Sequence, residues 1–347
     1  MADVNGDDKP DLIFRDFGNR FWISLADGGG LLAKPVASIG HGGPFRDGQV
    51  FFADINGDKR SDLIFRGVDN RFWISLADGK GGLANPVESI RHGGPFLEDQ
   101  VFFADVNGDG RADLIFRGQD SRFWISLADG KGGLANPVES IGHGGPFLDG
   151  QVFFADINGD KRSDLIFRGV DNRFWISLAN DNGGLANPVE SIRHGGSYLV
   201  DQVSLADVNG DGRADLVFRG QDSRFWISLA DGKGGLANPV ESIRHGGPFL
   251  EDQVFFADVN GDGRADLIFR GQDSRFWISL ADGKGGLANP VESIGHGGPF
   301  LDGQVFFADI NGDKRSDLIF RGVDNRFWIS LANDNGGLAN PVESVRP

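Results

Sequence analysis

The aspartate that opens each Asp-Val/Ile-Asn-Gly-Asp segment falls at Asp3, Asp54, Asp105, Asp156, Asp207, Asp258 and Asp309. From Asp3 to Asp54 is 51 residues, and that interval recurs to the end without a slip. A period of this length, rich in short strands, marks a propeller or a solenoid. Whatever chemistry one cassette carries is then present six or seven times. Near-equal copies favour multivalent binding over a single catalytic centre.

The third cassette shows what each copy folds into. Gln100–Val106, Asp113–Arg117, Arg122–Ala128 and Pro137–Ile141 are short, β-rich runs, and none has a helical period. Gly118-Gln119-Asp120-Ser121 reads as a tight turn, and Asp129-Gly130-Lys131-Gly132-Gly133 supplies the positive-φ positions of a hairpin. Four antiparallel strands per cassette make one propeller blade. A solenoid of parallel coils is the alternative, but its repeats are usually shorter and lack two hairpins each. The expectation is an all-β, seven-bladed β-propeller of four-stranded antiparallel blades. It is read as one domain over 1–347, with repeats starting near 2, 53, 104, 155, 206, 257 and 308.

Closure needs more chain than there is. Seven cassettes of 51 require 357 residues, and the chain has 347. One His-Gly-Gly-Pro-Phe…Gln-Val-Phe-Phe segment is missing. Either the first blade lacks most of its leading strand, or the ring closes with a defect.

Composition narrows the function classes. Asp plus Glu number 50 against 34 Lys plus Arg, a formal charge of −16. Twenty-one of these acids recur in one loop, three per cassette. Seven divalent cations would add 14 positive charges and bring −16 to −2. With no basic stripe, nucleic acid is not an expected partner. There is no cysteine, which removes disulfides, thiolate nucleophiles and cysteine-ligated zinc. No apolar run is long enough for a membrane-spanning helix, so no membrane insertion is expected. The segment at Met1 does not resemble a signal peptide, although a secreted, extracellular location suits the reading below.

The recurring loop has the form D-x-N-x-D-x-x-x-D. Its oxygen donors are Asp3, Asn5, Asp7 and Asp11; Asp54, Asn56, Asp58 and Asp62; Asp105, Asn107, Asp109 and Asp113; and Asp156, Asn158, Asp160 and Asp164. The later copies supply Asp207, Asn209, Asp211 and Asp215; Asp258, Asn260, Asp262 and Asp266; and Asp309, Asn311, Asp313 and Asp317. Four side-chain oxygens at positions 1, 3, 5 and 9, with a carbonyl near 7, suit Ca²⁺. An EF-hand is excluded because position 12 is Phe116, in a strand, where a bidentate Glu is required. The alternative is a set of Asx-turns in which the carboxylates cap their own backbone. A bound Ca²⁺, up to one per repeat, would be structural.

Three further sets of side chains recur. One tryptophan per cassette follows Arg-Phe: Trp22, Trp73, Trp124, Trp175, Trp226, Trp277 and Trp328. Such a ring can stack on a sugar or pack between blades. The polar junctions carry His41, His92, His143, His194, His245 and His296, followed by Phe45, Phe96, Phe147, Tyr198, Phe249 and Phe300. A histidine flanked by glycines can donate to a ligand hydroxyl, or bond a neighbouring carbonyl in a turn. Arg15, Arg66, Arg117, Arg168, Arg219, Arg270 and Arg321 close the second strand, and a second arginine precedes each tryptophan. Pairing with local aspartates is their default role, and sugar hydroxyls are the alternative.

The segment D-V-N-G-D-G-R-A-D-L, followed by a strand and a glycine-rich hairpin, resembles the calcium-binding repeats of integrin α-chain propellers, the FG-GAP/VCBS type. The full cassette is similar to seven-bladed propeller lectins of the Psathyrella velutina lectin type. That resemblance implies binding of terminal N-acetylglucosamine or related sugars in pockets between adjacent blades. Carried over, it implies six pockets, each lined by the junction histidine, the following Phe or Tyr, and a Trp or Arg of a flanking blade. The fourth junction departs from the pattern, with Ser197 and Tyr198 followed by Ser204-Leu205.

A calcium-stabilised multivalent lectin whose partners are glycans on cell surfaces or glycoproteins is thus the leading expectation. Avidity would supply the affinity that one monosaccharide site lacks. An enzyme is not expected, because no acid, base and nucleophile occur together once in the chain. A structural or adhesion propeller, or a designed symmetric scaffold, is the other reading. Recent amplification and deliberate design would both explain how alike the copies are.

Overall fold

A computed structural model describes residues 1–16, 18–40, 45–68, 71–91, 96–118, 122–142, 147–169, 173–193, 198–220, 224–244, 249–271, 275–295 and 300–345. Among them run seven antiparallel sheets, each built from consecutive strands. The first holds three strands: β1 (Leu12–Arg15), β2 (Arg20–Ser24) and β3 (Val36–Gly40). The second holds four: β4 (Phe45–Ala53), β5 (Asp62–Gly67), β6 (Arg71–Ser75) and β7 (Val87–Arg91). Five more four-stranded sheets repeat this order, ending at Val342–Val345. The chain is a seven-bladed β-propeller.

The strands differ from the expected runs at their ends. The leading strand of the third blade is Phe96–Ala104, which starts before Gln100 and stops before Asp105. Its first residue pairs with Gly118, and regular pairing resumes only at Val101 with Phe116. A bulge therefore sits inside the leading strand of each complete blade. A glycine-rich junction with a bulge has no clean alternation to read.

The second strand of each blade explains the packing. In β5 all six residues of Asp-Leu-Ile-Phe-Arg-Gly are buried. Successive side chains point to opposite faces. Leu63 and Phe65 join Val4, Phe21 and Ile23 of the first blade, while Ile64 faces Leu114 and Phe116 of the third. Each blade is thus apolar on both faces because both faces are interfaces. Every fully buried Phe or Ile contributes roughly 1.5–3 kcal/mol there.

The ring closes. Seven apolar clusters lie between neighbouring blades, and one joins Leu12, Ala26 and Leu32 to Ile310, Ile319 and Phe327 of the last blade. A hydrogen bond repeats the same circuit. The Leu83 amide donates to Ser38 Oγ at 2.8 Å, and the Leu32 amide donates to Ser344 Oγ at 2.8 Å. The sequence separations are 45 for the former and 312 for the latter. Together these make 357, the length of seven complete cassettes, so the missing residues do not shift the register of closure.

One glycine per interface combines a left-handed φ with a close approach to a leucine of the neighbouring blade. A Cβ on Gly132 (φ +87°) would stand 2.8 Å from Leu76 Cδ1 of the preceding blade. At the seam Gly30 meets Leu331 in the same way.

Candidate functional site: the aspartate loops and blade junctions

Each aspartate loop connects the leading strand to the second strand. In the third copy Asp105 accepts from the amides of Gly108 (2.7 Å) and Gly110 (2.8 Å). Asn107 Oδ1 accepts from the Asp109 amide (3.0 Å), and Asp109 Oδ1 accepts from the Arg111 amide (3.0 Å). The Arg111 guanidinium also donates to Asp109. The position-nine aspartate does something the spacing does not announce. Asp113 is fully buried and accepts from Val106 N (3.2 Å) and from Ala128 N (2.8 Å), beyond the third strand. It clips the loop to the end of the third strand, and all seven copies do the same.

Neighbouring loops are tied together around the ring. The Ser61 amide donates to the Asp3 carbonyl (2.6 Å), and five later pairs match it, from Ala112 with Asp54 to Ser316 with Asp258. Counting on from Asp309 round the ring, the corresponding donor is Pro10, which has no N–H. Lys9 nevertheless packs by Gly312 as Arg60 packs by Gly6.

Burial makes the clip electrostatically uneasy. The Asp113 carboxyl is pushed up from 3.8 to about 7, first by desolvation, with Asp109 and Asp105 adding repulsion against the pull of its two backbone donors. Asp317 is likewise at about 7, and Asp11, Asp62, Asp164, Asp215 and Asp266 lie at about 6. A cation beside these carboxylates would lower the cost of ionising them. In type and charge the donor set fits a hard divalent ion. In placement the side-chain oxygens cap backbone amides, and among the described residues no group of three or more His, Cys, Asp or Glu is arranged to hold a metal.

The tryptophans are half-buried, not exposed platforms. Trp73 packs at the interface of the first two blades and lies parallel to Phe65, with centroids 6.4 Å apart and a 6° interplanar angle. Trp124, Trp175, Trp226, Trp277 and Trp328 line the equivalent interfaces. Trp22 differs: its Nε1 donates to Asp16 Oδ2 at 2.9 Å, a bond that holds the Asp16 carboxyl down at about 2. Arg66, Arg117, Arg168, Arg219 and Arg270 are buried, Arg321 is half-buried, and Arg15 is exposed. The arginines preceding the tryptophans pair across strands with glutamates, as Arg71 does with Glu88 at 2.8 Å, and Arg326 also pairs with the local Asp324 at 3.3 Å. In the first blade Ala37 replaces that glutamate, and Arg20 turns to Asp16 at 3.1 Å.

His41, His92, His143, His194, His245 and His296 lie outside the described residues. Phe45, Phe96, Phe147, Tyr198, Phe249 and Phe300 open the leading strands, and only their backbone is described.

Ring and loop together define a propeller assembled from aspartate-loop repeats. The chain belongs to the FG-GAP-like repeat family, whose pattern it matches over 3–65, 54–116, 105–167, 156–218, 207–269 and 258–320. Its fold is shared with a lectin of Agrocybe aegerita, described for specific recognition of non-reducing terminal N-acetylglucosamine. That likeness has a TM-score of 0.84 at 22% identity, over 96% of this chain and 89% of that one. The BP39L lectin of Burkholderia pseudomallei superposes with a TM-score of 0.74 at 14% identity, over 98% and 96%. A T-cell immunomodulatory protein homologue of Plasmodium yoelii yoelii is 27% identical over 263 residues, 62% of this chain. The match spans only 37% of that relative's length.

Proposed function

We propose that this propeller is a multivalent lectin that binds terminal sugars of the N-acetylglucosamine type at its blade junctions. One observation carries the reading. The ring superposes over nearly its whole length on a lectin described for recognition of that sugar. Cyclic repetition adds to it: six blade junctions offer several copies of one weak site on one ring, the arrangement from which avidity arises. The partners are glycans on cell surfaces or glycoproteins, and no catalysis is involved.

Binding is expected to be supported by Ca²⁺ in the aspartate loops. The position-one, -five and -nine carboxylates would hold it with the Asn oxygen, and its contribution is to neutralise them and stiffen the link between the first two strands. The junction histidine with its following aromatic residue is proposed to face the sugar. The half-buried tryptophan supports the pocket wall from behind.

A glycan array probed with the full chain, with and without EDTA, tests the proposal. Signal on terminal N-acetylglucosamine that free sugar competes away is the expected result. A blank array would leave the adhesion or scaffold reading in its place.

A further inference from the structure

Nine Asn-Gly pairs occur in the chain. Seven lie in the aspartate loops, and two lie in the hairpins between the third and fourth strands of the fourth and seventh blades. Glycine has no Cβ to keep its own amide nitrogen from the carbonyl carbon of the preceding side chain. Such a pair can close on itself and lose ammonia. The fold treats the two groups of pairs differently.

In the loops the asparagine is half-buried and tied down. Asn107 Nδ2 donates to Asp109 Oδ2 at 2.8 Å, while its Oδ1 accepts from the Asp109 amide at 3.0 Å. Asn56, Asn158, Asn209, Asn260 and Asn311 repeat both bonds. Asn5 keeps the second. The nucleophile is held as well. The Gly108 amide donates to Asp105 Oδ1 at 2.7 Å, and its six counterparts do the same in their own loops. A carboxylate acceptor makes that bond charge-assisted and opposes loss of the amide proton.

Asn182 and Asn335 are exposed, and among the described residues their side chains make no hydrogen bond. Their glycine amides donate to neutral carbonyls, Gly183 to Asn180 O and Gly336 to Asn333 O, both at 2.8 Å. A cation stands beside each turn: Arg162 pairs with Asp181 at 2.7 Å, and Arg315 with Asp334 at 2.6 Å. The hairpins of the second, third, fifth and sixth blades carry Asp-Gly instead. Backbone amides hold the carboxyls of Asp78, Asp129, Asp231 and Asp282 below the usual range, and an ionised carboxylate resists the same attack.

We propose that Asn182 and Asn335 are self-modification sites: each deamidates through a succinimide, and the isoaspartyl product unseats its hairpin from the preceding blade. The Gly183 amide loses its proton, its nitrogen bonds to Asn182 Cγ, and the Cγ–Nδ2 bond breaks to release ammonia. Water then opens the ring at either carbonyl and leaves aspartate or isoaspartate. Isoaspartate adds a methylene to the main chain, where there is no room for it. A Cβ on Gly183 would stand 2.5 Å from Leu127 Cδ2 of the third blade, and one on Gly336 would stand 2.7 Å from Leu280 Cδ2 of the sixth. Two blade interfaces would thus loosen with age. The reaction does not depend on sugar binding.

The test incubates the full chain at mildly alkaline pH and maps its peptides by mass spectrometry, with isoaspartyl methyltransferase labelling to separate the two products. Conversion at Asn182 and Asn335 should run at least about tenfold faster than at the six doubly tied asparagines, which must first break a charge-assisted bond. Unfolding in urea should abolish that difference. Converted protein should melt below fresh protein, whereas an Asn182→Asp, Asn335→Asp variant, which gains the charge without the methylene, should melt with fresh protein. Equal rates at all sites of the folded chain would overturn the proposal, as would no conversion at the hairpins. An unchanged melt after conversion, or an equal loss in the aspartate variant, would overturn the unseating.

Discussion

Acid should strengthen this ring when cations are removed. The seven position-nine carboxyls hold protons to about pH 6 or 7 in the fold, against 3.8 for an ordinary aspartate. Each tenfold change in proton affinity is worth about 1.4 kcal/mol, so ionising one of them in the fold costs about 3 kcal/mol. The folded chain binds more protons than the unfolded chain between about pH 4 and 7, so stability falls as pH rises through that window. In EDTA the melting temperature should be at least about 10 °C higher near pH 5 than near pH 8, taking about 2 cal/mol/K of unfolding entropy per residue. Millimolar Ca²⁺ should remove most of that difference by raising the pH 8 value, because carboxylates that ligate a cation stay ionised. Calorimetry at both pH values, with chelator and with Ca²⁺, measures all four states. A chelated protein at least as stable at pH 8 as at pH 5 would refute the penalty. A pH 8 melt indifferent to Ca²⁺ would refute the cation.

Three substitutions probe the ring by thermal or urea unfolding. Gly132→Ala puts a Cβ 2.8 Å from Leu76 at a left-handed φ and should cost about 2–4 kcal/mol; a loss under about 0.5 kcal/mol would contradict the close approach. Ser344→Ala removes the acceptor that closes the circuit at Leu32 and should cost about 1–2 kcal/mol; Ser38→Ala, at an internal interface, should cost the same if the seam is packed like the others. Lys59 sits at φ 66° where the third copy has Gly110 at 81°, so Lys59→Gly should stabilise by about 1 kcal/mol; a destabilisation would show that the lysine side chain matters more than its backbone strain.

Much of this was legible because the cassette repeats. The period of 51 specified seven blades, and runs such as Asp-Leu-Ile-Phe-Arg, apolar at successive positions, announced strands buried on both faces. The shortfall of ten residues left open an incomplete first blade or a defect in closure, and among the described residues the first sheet has three strands. The leading strand was harder to delimit, because its bulge breaks alternation between Phe96 and Val101. The role of Asp113 was only half visible: its spacing marks an oxygen donor, but its bond to Ala128 joins residues that only the folded blade brings together.

Linear order thus determined what every blade is, since a blade is built from contacts within one cassette and seven copies repeat the same local instructions. Which residues meet across the seam was decided by the closed ring alone. Leu32 reaches Ser344, and Lys9 lies by Gly312. Those pairings depend on the small rotation between neighbouring blades summing to a full turn, a property of sheet twist and interface packing that no single cassette encodes.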